Sequence, residues 1–248
     1  MIMKRLDHVV LQMLAVNALR SLKKFYPLNH VVEDLSKKGI RVSIVDVSRY
    51  IAGNVLPKPT KAYEILKFLL EERYLEKILT RRAVVNNRGV VNITSIAYDM
   101  DIIKLATAVA YILLSSEEVD NVLTAAVNGV PLAFSIAEVL GSKLSVAKHE
   151  IDAGIESYIE ERYFAPDPPR YAYLYLPSYS LRRGERILIV DDLLHSGRTL
   201  KALVNIATKA GAEVIGIFSL MAVGTAWKGS IPESAKKVFI GKILKREG

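Results

Sequence analysis

The sequence predicts an α/β domain, a mostly parallel sheet with helices on both faces, preceded by a small all-α domain. Three observations predict it. From residue 83 onward, short apolar runs alternate with helical patterns, the arrangement that builds a parallel sheet covered on both sides. The first third shows only helical periodicity, broken by Pro and Gly. Charge divides at the same place: residues 1–82 carry 16 Lys and Arg against 8 Asp and Glu, whereas residues 83–248 carry 18 of each. The formal net charge of +8 thus lies in the first third, and the domain boundaries read as 1–82 and 83–248.

Composition narrows the class further. At 248 residues, of which 51% are apolar, the chain can bury a substantial core. It has no cysteine, which excludes disulfides and cysteine-based zinc sites. His8, His30, His149 and His195 are scattered without ligand-like spacing, so no protein-held metal is expected. The strongly apolar stretch Ile102 to Leu114 contains Lys104 and falls short of the ~20 residues a membrane span needs. The first residues lack a small-residue cleavage site. These features predict a soluble cytoplasmic protein without a membrane partner.

In the basic third, Leu6 to Phe25 has helical period, with Val9, Val10, Met13, Leu14, Ala18 and Leu22 recurring at three- and four-residue steps. Pro27 breaks it. Asn29 can cap a second helix with Val31, Val32 and Leu35 on one face, and Gly39 can end that helix. Ser43 and Asp46 form a capping-box pattern. The helix that follows should turn Ile44, Val47 and Ile51 inward and Val45, Ser48, Arg49 and Ala52 outward. Another amphipathic helix runs from Ala62 to Leu70.

Two short helices joined by a glycine turn make a helix-turn-helix, though plain bundles contain such pairs too. The stretch "VSRYIAGNVLPKPTKAYEIL" resembles the second half of phage-repressor-type helix-turn-helix domains. The resemblance implies double-stranded DNA as partner, with residues 43–52 in the major groove. Arg49 would offer two donors to a guanine edge, and Ser48 would reach base or phosphate. Ser43, Arg41, Asn54, Lys58 and Lys61, at the ends of that helix, suit contacts that position without specifying. The positive charge agrees with a polyanionic partner; a solvated lysine-rich surface is the bland alternative.

In the neutral part, "AVVNN" and "VVNIT" read as a hairpin and "MDIIKLATAVAYILLSS" as a helix. "NVLTAAV" is a short strand, "LAFSIAEVLG" a helix closed by Gly141, and "KLSVAKH" a strand. "RILIV", a helix from Thr199 to Ala210, and "EVIGIFSLMAV" continue the alternation.

The stretch "ILIVDDLLHSGRTL" carries the chemistry. Ile187 to Val190 form a buried strand with Asp191 and Asp192 at its carboxyl end. Leu193 to Thr199 form a loop, and a helix follows. Free amides at a helix start, beside a glycine and two hydroxyls, make a phosphate pocket. The carboxylates would repel that phosphate but can accept hydrogen bonds from hydroxyls. A ribose 5-phosphate has both features. The Gly-Lys-Ser/Thr ending of a Walker loop is missing.

The same stretch resembles the phosphoribosyl-pyrophosphate (PRPP) motif of type I phosphoribosyltransferases. The resemblance implies that Asp191 and Asp192 bind the ribose 2- and 3-hydroxyls. The 5-phosphate would lie on His195, Ser196, Gly197, Arg198 and Thr199. Mg2+ would enter with PRPP, bound through the ligand. "AAVNGVPLAFSIAEVLG" resembles the family's pyrophosphate loop, with Val127, Asn128 and Gly129 supplying backbone amides. Many members carry Lys or Arg just before this glycine; here Asn128 stands there. Residues 149–184 fit the mobile hood of the family. They hold Glu150, Asp152, Glu156, Glu160 and Glu161 before Tyr163, with Arg162 and Arg170 as the main basic groups. Trp227 is a candidate for stacking on a base, or a core residue.

The order of parts resembles purine-repressor-like and archaeal orotate-phosphoribosyltransferase-like transcription regulators. That implies a homodimeric DNA-binding regulator sensing PRPP or a nucleotide. The alternative is an active phosphoribosyltransferase that joins a purine or pyrimidine base to PRPP. Charge confined to the first third, Asn128 and the acid-rich hood favour binding without turnover.

Overall fold

A computed structural model describes residues 7–83, 91–166 and 168–245. The chain divides into two compact units, 1–82 with 99–117, and 83–98 with 118–248.

The first unit is helical. α1 (His8–Phe25) is capped by Asp7, whose carboxylate accepts from the amides of Val9 and Val10. Its buried stripe is Leu11, Leu14, Ala15, Ala18, Leu19 and Leu22. Val9 and Met13, expected on that stripe, face solvent; Leu6 lies outside the described residues. α2 (Leu28–Lys37) starts directly after Pro27, so Asn29 is inside the helix and caps nothing. α3 (Ile44–Ala52) has the expected capping box between Ser43 and Asp46 and ends on Gly53 in the left-handed conformation. α4 (Pro59–Glu71) opens with proline at its first turn. α5 (Tyr74–Arg82) buries Tyr74, Leu75, Ile78 and Leu79.

The hairpin expected over "AVVNN" and "VVNIT" lies mostly outside the described residues. Its last residue instead opens a one-turn helix, α6 (Thr94–Ala97). α7 (Met100–Leu113) is helical as expected and packs on α1, α4 and α5 within the helical unit. The reason is compositional. α7 is apolar nearly all round, and such a helix must be buried on every side; ten of its fourteen residues are. Its cap Asp99 accepts from the Asp101 and Ile102 amides, and Ser21 donates to Asp101 at 2.8 Å. No helix among the described residues is long and apolar enough to cross a membrane.

The second unit is α/β. β1 (Asn121–Ala125) leads through α8 (Val130–Leu140) to β2 (Lys143–Ala147). β3 (Tyr158–Pro166) and β4 (Pro169–Pro177) form a separate antiparallel hairpin. β5 (Arg186–Leu194) leads through α9 (Arg198–Lys209) to β6 (Glu213–Val223), and β7 (Lys237–Leu244) closes the sheet. The five-stranded order is β2-β1-β5-β6-β7, every pair parallel. From β1 the chain moves toward one edge and from β5 toward the other. Right-handed crossovers then place α8 and α9 on opposite faces. The point where the direction reverses lies between β1 and β5, and ligands of such sheets bind beyond the carboxyl ends of strands at that point.

Candidate functional site

Two loops meet at the reversal point. One follows β1. Val127 is exposed, Asn128 is half-buried, and Gly129 is buried at the start of α8. The Ala126–Val127 peptide is cis. The other is the turn His195–Gly197 after β5. Gly129 ties them together. A Cβ there would lie 2.6 Å from Thr124 Oγ1 and 3.3 Å from Asp191 Oδ1. Only a glycine lets the first loop press its backbone against Thr124 and against Asp191 of β5, the strand that leads into the second.

The strand β5 is longer than the sequence suggests. It runs on through Leu194 because the eleven-residue β6 pairs with it as far as Leu194↔Ala222. Asp191 and Asp192 therefore sit within the strand, both buried. Leu193 and Leu194 are strand rather than loop. The Asp192 amide donates to Asp191 Oδ1 at 3.0 Å. Burial, and then the neighbouring Asp192 carboxylate, push the Asp191 carboxyl well above the usual range. No cation among the described residues pairs with either acid.

The phosphate side of the site is the start of α9. Gly197 is its N-cap, with φ +79° and no side-chain cap bond. The first turn of α9 thus has no side-chain cap from Gly197, and helix-start amides left in that way are the groups that can accept a phosphate. Ser196 Oγ makes only a long 3.5 Å contact with the Arg198 amide. Thr199 is half-buried, while His195 and Arg198 are exposed. A Cβ on Gly197 would lie 2.7 Å from the Trp227 Cα and 2.6 Å from Ser230 Oγ. Trp227 is thus the wall behind the turn. Its indole N–H donates to the Gly224 carbonyl at 3.0 Å, and its ring belongs to the core shared with α9. It is a packing residue rather than a stacking platform.

Residues 158–166 and 169–177 pair as a hairpin rather than a loop. Ile159, Tyr163, Leu174 and Leu176 pack on the core beneath it. Glu161 accepts from Asn205 at 2.7 Å and pairs with Lys209, so this acid fastens the hairpin to α9. Asp152 pairs with Lys148, four residues before it, at 2.8 Å. Arg162 stacks over the Tyr171 ring at 4.6 Å. One residue has no signal in the sequence: Tyr98, whose hydroxyl donates to Asn128 Oδ1 at 3.2 Å. That bond occupies the amide oxygen and leaves the Asn128 NH2 as the group free to donate. No sequence pattern marks a contact across 30 positions.

In the helical unit, α3 exposes Ile44, Val45, Ser48, Arg49 and Ala52. With Asn54 they line a shallow depression of about 510 Å³. Ile44, expected to point inward, is exposed; Val47 alone on this helix is fully buried. Arg41, Asn54 and Lys58 are exposed, Lys61 pairs with Glu64 at 2.6 Å, and Ser43 is engaged in the capping box.

The family model for the phosphoribosyl transferase domain matches residues 92–240. The chain belongs to this family. An N-terminal helical region, 8–82, precedes the matched domain. A probable purine biosynthesis transcriptional regulator of Streptococcus pneumoniae serotype 4 is 29% identical over 102 residues, 41% of this chain and 37% of that protein. The purine biosynthesis transcriptional repressor of Bacillus subtilis is 27% identical over 103 residues, 42% of this chain and 36% of that one. The hypoxanthine/guanine phosphoribosyltransferase of Methanosarcina mazei is 27% identical over 114 residues, covering 46% of this chain and 58% of that one. The chain therefore matches less than two-fifths of the length of the two regulators. The solved adenine phosphoribosyltransferase of Rhodothermus marinus superposes with a TM-score of 0.60, covering 69% of this chain and 99% of that one at 18% identity. That likeness establishes the fold.

Proposed function

We propose that this protein is a DNA-binding transcription regulator whose phosphoribosyltransferase domain binds PRPP or a nucleotide. The observation that carries the reading is the outward face of α3. Arg49, Ser48 and Asn54 surround a depression on a helix held by a capping box, in the part of the chain that holds the net positive charge. α2 and α3 then act as a helix-turn-helix, with α3 in the major groove. Arg41 and Lys58 contact phosphates. Such a module reads two half-sites, so the working form is a homodimer. The purine regulators among the relatives support the same reading.

At the sheet, the ribose hydroxyls donate to Asp191 and Asp192, and the 5-phosphate lies on the turn from His195 to Thr199. The pyrophosphate lies against Val127 to Gly129. Two carboxylates without a cation partner are oxygen ligands suited to Mg2+, which binds through one or two carboxylates plus ligand phosphates. Mg2+ would supply charge neutralisation there. With Asn128 in place of a basic residue, this chain's own residues bind the ligand while offering the leaving pyrophosphate little charge. The full PRPP motif and the enzyme relatives favour a second reading, turnover of a base and PRPP to a nucleotide.

The test has two arms. PRPP with Mg2+ is titrated calorimetrically into wild type and an Asp191→Asn, Asp192→Asn double variant. The double variant should lose binding and keep its fold; equal affinity would refute the ribose assignment. DNA binding to genomic fragments is followed by anisotropy across a salt series, since phosphate contacts release counterions and affinity falls steeply with salt. Absence of DNA binding at low salt, with pyrophosphate released in the presence of a base, would replace the regulator by the enzyme.

A further inference from the structure

The solvent face of α3 is unusual for a surface helix. Exposed helix faces are ordinarily polar. Here the first two residues are Ile44 and Val45, 46% and 62% exposed, and Ala52 lies on the same face. Val55 and Leu56, in the loop behind, are exposed as well. The surroundings are cationic: Arg41, Arg49 and Lys58 are exposed, and, after the hydrogen bonds from Ser43, the Arg49 charge is near enough to Asp46 to help hold its carboxyl down. The one acid of the helix, Asp46, is turned back onto Ser43, which donates to it through both backbone amide and hydroxyl. The face therefore combines aliphatic groups at its N-terminal end with an exposed guanidinium one turn further on, the nearby acid Asp46 having its hydrogen bonds to Ser43.

We infer that Val45 and Ile44 read thymine 5-methyl groups in the major groove, beside a guanine read by Arg49. This rests on the regulator reading above and adds the base class. The N-terminal residues of a recognition helix are those that reach base edges. Aliphatic side chains there form no hydrogen bonds, and the only apolar group a base pair shows in the major groove is the thymine methyl. Arg49 lies four positions after Val45, hence on the same side one turn along. Its fork matches guanine O6 and N7. A duplex is the occupant that satisfies both the aliphatic and the cationic parts of this face; an apolar protein surface would leave Arg49 and Arg41 buried without a partner.

The experiment isolates the methyl. Tight-binding duplexes are first selected by wild type from a random-sequence pool. Each thymine of the selected site is then replaced in turn by deoxyuridine, which removes only the methyl. Wild type should lose about fourfold in affinity at one or two thymines per half-site, the worth of one buried methyl-sized group. Val45→Ala and Ile44→Ala should each bind thymine and uracil duplexes alike at the thymine its own side chain reads, and the double variant should do so at every such position. Both side chains are exposed, so circular dichroism and thermal melts should match wild type. Affinity indifferent to uracil at every position, in a protein that does bind the duplex, overturns this inference alone. Failure to select any duplex overturns the regulator reading with it. A Val45→Ala variant that loses self-association in sedimentation while keeping its DNA affinity would assign the face to a second copy and overturn the inference.

Discussion

Replacing Gly197 by alanine tests how the phosphate turn is built. Gly197 has φ +79°, and a Cβ there would meet the Trp227 Cα at 2.7 Å and Ser230 Oγ at 2.6 Å. Serine can swing its hydroxyl away, but the Trp227 Cα is backbone and cannot. Gly141, the C-cap of α8, is the matched control: φ +64°, with nothing within 4 Å of the place a Cβ would occupy. An L-residue in the left-handed region costs about 1–2 kcal/mol, and alanine returns about 0.4–1 kcal/mol by restricting the unfolded chain. Gly141→Ala should therefore cost about 1 kcal/mol. Gly197→Ala carries the same terms plus overpacking of about 1–3 kcal/mol, about 2–4 kcal/mol in all. Urea melts of both variants at unchanged slope give the difference directly. The strained turn should also displace the α9 amides, so Gly197→Ala should weaken PRPP binding while Gly141→Ala leaves it intact. Equal destabilisation of the two variants, within about 0.5 kcal/mol, would refute the close approach of the turn to Trp227.

Arg49→Ala should cost about 1–3 kcal/mol at one base position and relax preference there, read by anisotropy on duplexes varied at single positions. Lys58→Ala should weaken all sequences alike and reduce the salt slope by about one. Neither should alter PRPP binding, measured calorimetrically on the same preparations. Asp191 supplies a pH prediction. Its native carboxyl titrates above the unfolded value, so between the two the native state binds more protons than the unfolded chain. Stability contributed by this group therefore falls as pH rises through that window. Asp191→Asn should be more stable than wild type at neutral pH, and the two should converge as pH falls toward the ordinary carboxylate range in denaturant melts. PRPP affinity of wild type should rise with pH over the same window, because the hydroxyls need the ionised carboxylate.

How much of the fold and site is legible in the sequence depends on how far each signal is local. The Ser43–Asp46 capping box, Gly141 as the end of α8 and the strand before Asp191 are encoded within a few residues, and all appear in the structure. Burial directions are less legible. Ile44 has the spacing of an inward residue, in step with Val47 and Ile51, yet it is exposed; a short helix contains too few turns to fix its inner face. β7 carries little pattern because it is an edge strand, largely half-exposed, with only Gly241 buried. α7 is legible as a helix, but which layer it enters depends on partners distant in sequence. The proximity of Gly129 to Asp191, and of Gly197 to Trp227, arises only from sheet order and close packing.

A single strand, β5, shows two ways of treating carboxylates. At its first residue, Arg186 donates to Asp120 at 3.1 and 3.2 Å through its side chain and at 2.8 Å through its backbone amide, and also to Glu118 at 2.6 Å. Those bonds hold the Asp120 carboxyl below its ordinary range. That is how this protein satisfies an acid whose role is structural. Further along the strand Asp191 and Asp192 are more deeply buried, adjacent, and without a cation among the described residues, and the Asp191 carboxyl is pushed upward instead. Burying two like charges side by side opposes folding, and hydrophobic residues would fill the same strand positions at no such cost. The sheet could have closed with valines there, as it does at Val190. The unfavourable pair lies at the carboxyl ends of the strands where the order reverses, between a glycine pressed against Asp191 and an uncapped helix start. On the function proposed above, an arrangement that costs stability at the one place such a sheet binds its ligand is accounted for by a ligand whose hydroxyls and divalent cation would complete the partners that the protein itself does not provide.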